Sequence, residues 1–247
     1  MALKASAVVI ISEPFNYAND AALAVNWTIS SSPITLNNAN GNPSPSVSNA
    51  ATGTAANIWK GSTFLLTPTD AAPVRLTADF LSPAVTTNAV TTVGLRTGAD
   101  PLFEMGLYKS FDNIQTGSAT SDALTPVGSG IGTRTINIGI DLPGQDWVKM
   151  SDYFTGSARF EAVFTTFSVT TRIDLGINGT WDFAFTETGT TAIGAFSDLR
   201  IHAPAVTGAG SGGTGVDNVL LEVIPEPSSS VLLGVASGFL LRRSRKR

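Results

Sequence analysis

The chain has 247 residues, with 15 Lys and Arg, 19 Asp and Glu, a net charge of −4, one His and no Cys. This length fits one domain or at most two. The lack of Cys excludes disulfides, a Cys nucleophile and thiolate-bound zinc or iron–sulfur sites. One His nearly excludes histidine-rich metal sites, and an acidic chain with a single basic cluster disfavours nucleic-acid binding.

The first seven residues have features of an export signal. Residues 1–7 contain a Lys and a cleavage-like Ala-x-Ala pattern, but the apolar core of about 7–15 residues that belongs between them is missing. We interpret residues 1–7 as the remnant of an export signal that begins further upstream. The alternative is that the chain is not exported as written.

Residues 8–223 carry short apolar runs that alternate with polar residues and are separated by Gly, Pro, Asn and Thr. This pattern predicts one all-β domain, an antiparallel two-sheet β-sandwich of the jelly-roll type. No long helical pattern interrupts it. The predicted strands include residues 8–11, 74–80, 90–96, 103–108, 134–140, 160–164, 173–177, 180–185, 196–201 and 216–223.

Asn178 and Gly179 stand between two alternating runs, which is the strongest short signal for a two-residue hairpin turn. Trp181 is in phase with Phe183 and Phe185 in the second run. We therefore predict a tight hairpin here, with Trp181 in the core.

The two ends of the domain look like those of the concanavalin A-like (laminin-G-like) and carbohydrate-binding jelly rolls. The residues concerned are the opening segment 10–17 and the closing Val-Asp-Asn-Val at 216–219. The resemblance implies that the first and last strands pair. It also implies a structural Ca²⁺ near them, with Asp217 at the position of a frequent ligand and Glu13 joining it. The alternative is that Asp217 and Asn218 only turn the chain into the last strand.

The tail, residues 224–247, has three parts in order. Pro225, Glu226 and Pro227 end the ordered sheet because two prolines fix φ and remove donors. The uncharged segment 228–241 predicts a short hydrophobic helix, below the roughly 17–25 residues of a stable membrane span. The chain closes with a basic cluster that favours retention on the cytoplasmic side: Arg242, Arg243, Arg245, Lys246 and Arg247.

This order of Pro-Glu-Pro, apolar segment and Arg cluster resembles the PEP-CTERM sorting signal of Gram-negative bacteria. The resemblance covers about the last 25 residues. It implies recognition and cleavage of the tail by an exosortase, a transient stay in the inner membrane, and release or attachment at the cell surface, often in bacteria that make exopolysaccharide. The alternative is an ordinary amphipathic or buried C-terminal helix.

Catalytic chemistry finds little support in the sequence. The Glu-x-Asp-x-x-Glu pattern of some concanavalin A-like hydrolases is absent, and the nearest acid pair is Asp174 and Asp182 across the predicted hairpin. No Gly-x-Ser-x-Gly motif accompanies His202. We therefore predict no catalytic residues, and a glycoside hydrolase or lyase acting on polysaccharide is the alternative.

Four tryptophans are candidates for stacking against sugar rings: Trp27, Trp59, Trp147 and Trp181. Trp59 and Trp147 stand next to loop-like segments, so they are our predicted ligand-binding residues. The alternative is that all four are largely buried. The sequence thus predicts an exported, non-enzymatic β-sandwich with a structural or adhesive role in the exopolysaccharide matrix, of which carbohydrate binding is the sharper form.

Overall fold

A computed structural model of the chain describes residues 6–29, 34–38, 41, 43, 45–48, 56–82, 90–97, 100–108, 130–135, 147–149, 156–203 and 215–225. Within them lie fifteen β-strands and one short α-helix. The helix is α1, Asp20–Asn26. The strands are β1 Val8–Glu13, β2 Thr28–Ile29, β3 Thr35–Asn37, β4 Ser46–Ser48, β5 Ala56–Leu66, β6 Val74–Ser82, β7 Val90–Thr97, β8 Asp100–Tyr108, β9 Gly130–Thr135, β10 Trp147–Lys149, β11 Gly156–Phe164, β12 Ser168–Leu175, β13 Phe183–Thr188, β14 Phe196–Ala203 and β15 Gly215–Val223.

The strands form two antiparallel sheets, as the alternating pattern predicts. The eight-stranded sheet has the order β13-β12-β11-β6-β15-β4-β3, and β1 also pairs with β15. The seven-stranded sheet has the order β10-β9-β8-β7-β14-β5-β2. The predicted all-β sandwich is confirmed, and so is the pairing of the first and last strands, because Val8 to Glu13 run antiparallel to Val223 to Val219.

The core lies between the sheets, where aromatic rings interdigitate. Phe164 of β11 contacts two rings of the opposite sheet, Phe103 at 4.8 Å and Phe196 at 5.0 Å between centroids, both edge-on. All three are fully buried. Burying each phenyl ring contributes about 1.5–3 kcal/mol relative to exposure, so this cluster is a major attachment between the sheets.

Alternation assigns the other face of each strand to the outside of the sandwich. In β6, Leu76, Ala78 and Phe80 point into the core, which leaves Thr77 and Asp79 on the outer face. In β14, Leu199 and Ile201 are buried core residues, so Arg200 lies on the outer face of the other sheet. The outer face of each of the two sheets can therefore carry functional side chains.

The short helix α1 was not predicted from the sequence. Asn19 caps it by accepting a hydrogen bond from the Ala22 backbone N–H at 3.0 Å, and Leu23 is buried beneath it. With only seven residues, the helix spans too few turns to give an apolar periodicity that can be recognised.

The hairpin prediction at Asn178 and Gly179 is wrong in its length. β12 ends at Leu175 and β13 begins only at Phe183, so residues 176–182 form a loop rather than a two-residue turn. Gly176, Ile177 and Gly179 all have positive φ, at 82°, 53° and 86°. The predicted core position of Trp181 is also wrong, because its side chain is 38% exposed.

The last described strand ends two residues before Pro225. β15 ends at Val223, and the Ile224 N–H still donates to the Pro73 carbonyl at 2.8 Å before Pro225. The remainder of the predicted tail, including Glu226, Pro227, the apolar segment 228–241 and the basic residues, lies outside the described residues. So do residues 1–5 and most of the predicted strand 134–140. No helix in the described ranges is long and apolar enough to cross a membrane.

Candidate functional site

The outer face of the seven-stranded sheet holds both predicted ligand-binding tryptophan positions. Cα pairing across five neighbouring strands makes one row of Trp59, Arg200, Gly94, Glu104 and Arg134. Trp147 pairs with Gly132, two residues before Arg134 on β9, so it belongs to the same face. The structure therefore brings positions 59 and 147 to one face, on strands β5 and β10.

An ion pair lies in the middle of this row. The Arg200 guanidinium contacts the Glu104 carboxylate, although Gly94 of β7 stands between the two strands. The long side chain can cross because Gly94 has no side chain of its own; a Cβ there would meet the Phe103 carbonyl oxygen at 2.5 Å. Burial, followed by the charge of Arg96, lowers the pKa of Arg200 to about 10.

These charged groups are well covered for an outer sheet face. The side chains of Arg200 and Glu104 are 15% and 6% exposed. Thr92 lies two residues before Gly94 on β7 and therefore on the same face. It is fully buried, and its hydroxyl has no hydrogen-bond partner in the described part of the chain. The described residues at the centre of this face are thus buried polar side chains.

The outer face of the eight-stranded sheet carries a second polar row, which contains Asp217. Cα pairing aligns Asp174, Arg159, Asp79 and Asp217 on β12, β11, β6 and β15. Arg159 makes a bidentate contact to Asp79 at 2.7 and 2.8 Å, and the Asn218 amide donates to Asp79 at 3.0 Å. This contact is the first cause of a raised pKa at Arg159.

A bulge in β15 opens a shallow pocket beside this row. Asn218 has a φ of 48°, and the pairing of β15 with β6 shifts register between Asp217 and Leu220. The pocket has a volume of about 370 Å³ and is lined by Ser12, Glu13, Pro14, Thr77, Arg159, Asn218, Val219 and Leu220. Its polar groups come from β1, β6, β11 and β15.

The two predicted calcium ligands reach neighbouring strands but not one face. Glu13 pairs with the core residue Val219, whereas Asp217 pairs with Asp79 on the outer face. One Glu13 oxygen, Oε2, accepts hydrogen bonds from Tyr17 at 2.7 Å, Trp27 at 3.0 Å and Lys60 at 2.9 Å. The described residues hold no group of three or more His, Asp or Glu side chains arranged for a metal ion. Glu13 and Asp217, as placed, do not form a joint cation site.

Asp174 and Asp182, the acid pair considered for hydrolysis, both accept hydrogen bonds from backbone N–H groups. Asp174 accepts from the Asn178 and Gly179 N–H groups at 3.0 and 2.8 Å. Asp182 accepts from the Leu175 N–H at 2.7 Å. Both carboxylates brace the loop 176–182, and neither is set against the other as an acid and a base.

Sequence reasoning missed Trp181 as a surface aromatic. Its phase with Phe183 and Phe185 suggested a strand, but the loop ends only at Phe183. The available signal was the composition around it, because Gly179, Thr180 and Asp182 are typical of a loop. By contrast Trp27 is buried, 2% exposed, and hydrogen-bonded to Glu13.

Comparison with solved structures identifies the fold class. The CBM2 module of the evolved Dit protein of Lactobacillus casei BL23 phage J-1 is similar over 91% of this chain and 99% of its own, with 11% identity and a TM-score of 0.56. The globular domain of T. cruzi calreticulin is similar over 96% of this chain and all of its own, with 7% identity and a TM-score of 0.55. No protein-family description and no curated protein sequence matches the chain. At such low identity these similarities establish the two-sheet jelly-roll sandwich and nothing finer.

Proposed function

We propose that this chain is an exported, non-enzymatic carbohydrate-binding protein that acts in the exopolysaccharide matrix. The observation that supports the proposal is the Cα pairing that aligns positions 59 and 147 with the same face of the seven-stranded sheet, in a sandwich similar in fold to a CBM2 module. Aromatic residues on a sheet face suit the flat faces of sugar rings.

The proposed binding track runs across the seven-stranded sheet. Five strand spacings of about 4.8 Å separate β5 from β10, so positions 59 and 147 lie about 24 Å apart. An extended oligosaccharide spans such a distance, and a single sugar does not. Arg200 and Glu104 lie between these two positions, and at 15% and 6% side-chain exposure they hold each other rather than contact the sugars.

The localisation belongs to the same proposal. The Pro-Glu-Pro motif, apolar segment and Arg cluster support sorting by an exosortase, with a transient inner-membrane stage and final exposure at the cell surface or in the medium. The end of β15 at Val223 supports it too, because this last described strand stops two residues before Pro225.

Of the two predicted Ca²⁺ ligands, only Asp217 is kept in the proposal. This carboxylate is fully buried beside Asp79, whereas Glu13 is engaged by the Lys60 ammonium group. Removing calcium therefore tests whether the carbohydrate module needs a bound metal to be ordered or is independent of it.

The test is co-sedimentation of the full chain with the producer's own exopolysaccharide, with and without EDTA. We expect binding, and about tenfold weaker binding for Trp59→Ala and for Trp147→Ala. Leu65→Ala is the matched control, because Leu65 is on β5 like Trp59 and is 73% exposed. Loss of binding in EDTA supports Ca²⁺, and unchanged binding removes it. If the unmodified chain fails to sediment with the polysaccharide in either buffer, the carbohydrate role is wrong.

A further inference from the structure

The loop 176–182 presents an aromatic ring in a polar setting. Trp181 is 38% exposed, so more than half of its surface is covered by the protein while part of the ring faces solvent. Its neighbours Thr180 and Asp182 are exposed, as are Asn178 and Gly179. Trp181 is thus the one large apolar side chain of the exposed stretch 178–182.

The loop is held in one conformation by a buried carboxylate. Asp174, 2% exposed, accepts from the backbone N–H groups of Asn178 and Gly179 at 3.0 and 2.8 Å. Charged acceptors make stronger hydrogen bonds than neutral ones, so the turn is fixed at its tip.

Further contacts fix both ends of the loop. Gly176 N–H donates to the Ser157 carbonyl at 2.6 Å, and Asp182 N–H donates to the Ile173 carbonyl at 2.8 Å. The Asn178 side chain accepts from the Thr180 N–H at 2.8 Å. A ligand that docks on Trp181 would therefore not have to order the loop, which removes one of the usual costs of binding.

The residues on either side of Trp181 in the chain each offer a polar atom to a ligand. Asp182 uses Oδ2 for the Leu175 N–H, and within the described ranges its Oδ1 accepts no hydrogen bond. The Thr180 hydroxyl likewise makes none there. An exposed ring whose two neighbours in the chain carry a hydroxyl and a carboxylate suits a sugar, which has an apolar face and hydroxyl groups along its edge.

We propose that Trp181, Thr180 and Asp182 form a subsite for a neutral pyranose unit, with the sugar stacked on the indole and its hydroxyls bonded to Thr180 and Asp182. The carboxylates of Asp182 and Asp174 favour a neutral sugar over a uronate, which like charges would repel. This inference rests on the proposed function and adds to it, because the loop belongs to the eight-stranded sheet and not to the face that carries Trp59 and Trp147.

The test follows indole N–H signals of the ¹⁵N-labelled full chain during titration with cello-, xylo- and manno-oligosaccharides and with oligogalacturonate. The chain has four Trp, and Trp181→Phe assigns the signal of interest. We expect a saturable shift of the Trp181 signal with a neutral oligosaccharide and none with oligogalacturonate. Affinity should fall about tenfold in Trp181→Ala and be largely retained in Trp181→Phe.

Phe167→Ala is the matched control, because Phe167 is also an exposed aromatic, 43% exposed, and precedes β12 at its opposite end. Equal losses in both alanine variants would overturn a specific role of Trp181. If the chain binds an oligosaccharide or the exopolysaccharide while the Trp181 signal does not move and Trp181→Ala binds normally, the subsite is wrong and the carbohydrate role stands. If the unmodified chain binds none of these glycans, both proposals fall.

Discussion

Arg159 and Asp79 face each other across β11 and β6, and two hydrogen bonds of 2.7 and 2.8 Å join the guanidinium to a carboxylate that has no exposed surface. A buried charge is tolerated when an opposite charge and hydrogen bonds compensate it. Asp79 thus depends on Arg159, with Asn218 as an additional donor.

Replacing Arg159 should cost stability out of proportion to its surface position. Arg159→Ala leaves the Asp79 carboxylate buried without this counter-charge, and fully buried pairs cost about 3–5 kcal/mol when one partner is removed. Because the Arg159 side chain is 36% exposed, we expect a smaller loss of about 2 kcal/mol in the free energy of unfolding, measured by urea denaturation.

Arg172 provides the comparison. Its side chain is 44% exposed and it contacts Glu161 at 3.4 Å on the same outer face. Arg172→Ala should cost only about 0.5 kcal/mol. Equal urea midpoints for the two variants would contradict the dependence of Asp79 on Arg159.

Gly94 is required between Arg200 and Glu104. A Cβ at this position would come within 2.5 Å of the Phe103 carbonyl oxygen and 2.9 Å of Glu104 Cγ, and the backbone oxygen cannot move without breaking the sheet register. Gly94→Ala should therefore lower the free energy of unfolding by about 2 kcal/mol. Gly194→Ala is the control, since nothing lies within 4 Å of a Cβ there, and it should be neutral or slightly stabilising. A thermal melt of Gly94→Ala that matches the unmodified chain would show that the strands can separate to admit a methyl group.

The sandwich could be predicted from the sequence because its strands follow the two-residue period. Leu76, Ala78 and Phe80 face the core and Thr77 and Asp79 do not, which is the alternation that the sequence displays. The pairing of β1 with β15 also came from the sequence, through the resemblance of the chain ends to known jelly rolls.

The remaining features depend on individual hydrogen bonds and on strand register rather than on the period of apolar residues. Asp174 binds Asn178 and Gly179 and so enlarges a predicted tight turn into a loop, which places Trp181 outside the core. The bulge at Asn218 turns Asp217 and Glu13 to different faces. Neither effect changes the local pattern of apolar residues, so periodicity carries no signal for it.

Tyr17 should make stability fall at alkaline pH. Burial, and then its 2.7 Å hydrogen bond to Glu13, raise the pKa of Tyr17 well above its ordinary value of about 10. The unfolded chain then loses the phenolic proton before the folded one does. The contribution of Tyr17 is complete below pH 10 and is lost progressively as the pH rises above 10.

Urea midpoints of the unmodified chain and Tyr17→Phe between pH 8 and pH 11 test this expectation. The difference between them, about 1 kcal/mol at pH 8 for one hydrogen bond, should narrow above pH 10. The lowered pKa of Arg200 acts in the opposite direction at high pH, but it is present in both proteins and cancels. Parallel decline of the two curves would mean that the phenol ionises normally in the folded state.

The sorting proposal predicts that the basic end of the chain is absent from the mature protein. An exosortase that acts at the tail would remove residues 242–247, so the intact mass of the secreted protein should lack them. Replacing Pro225, Glu226 and Pro227 together by Ala should leave uncleaved precursor in the membrane fraction, because the apolar segment and its Arg cluster then stay attached.

Folding should not change, since β15 ends at Val223 and the last described sheet contact is the 2.8 Å bond from Ile224 to Pro73. Matched replacement of Ser228, Ser229 and Ser230 by Ala alters the adjoining linker without touching the motif, and it should leave processing intact. Normal release of the Pro-Glu-Pro variant, or a secreted mass that still includes Arg247, would contradict recognition of this tail.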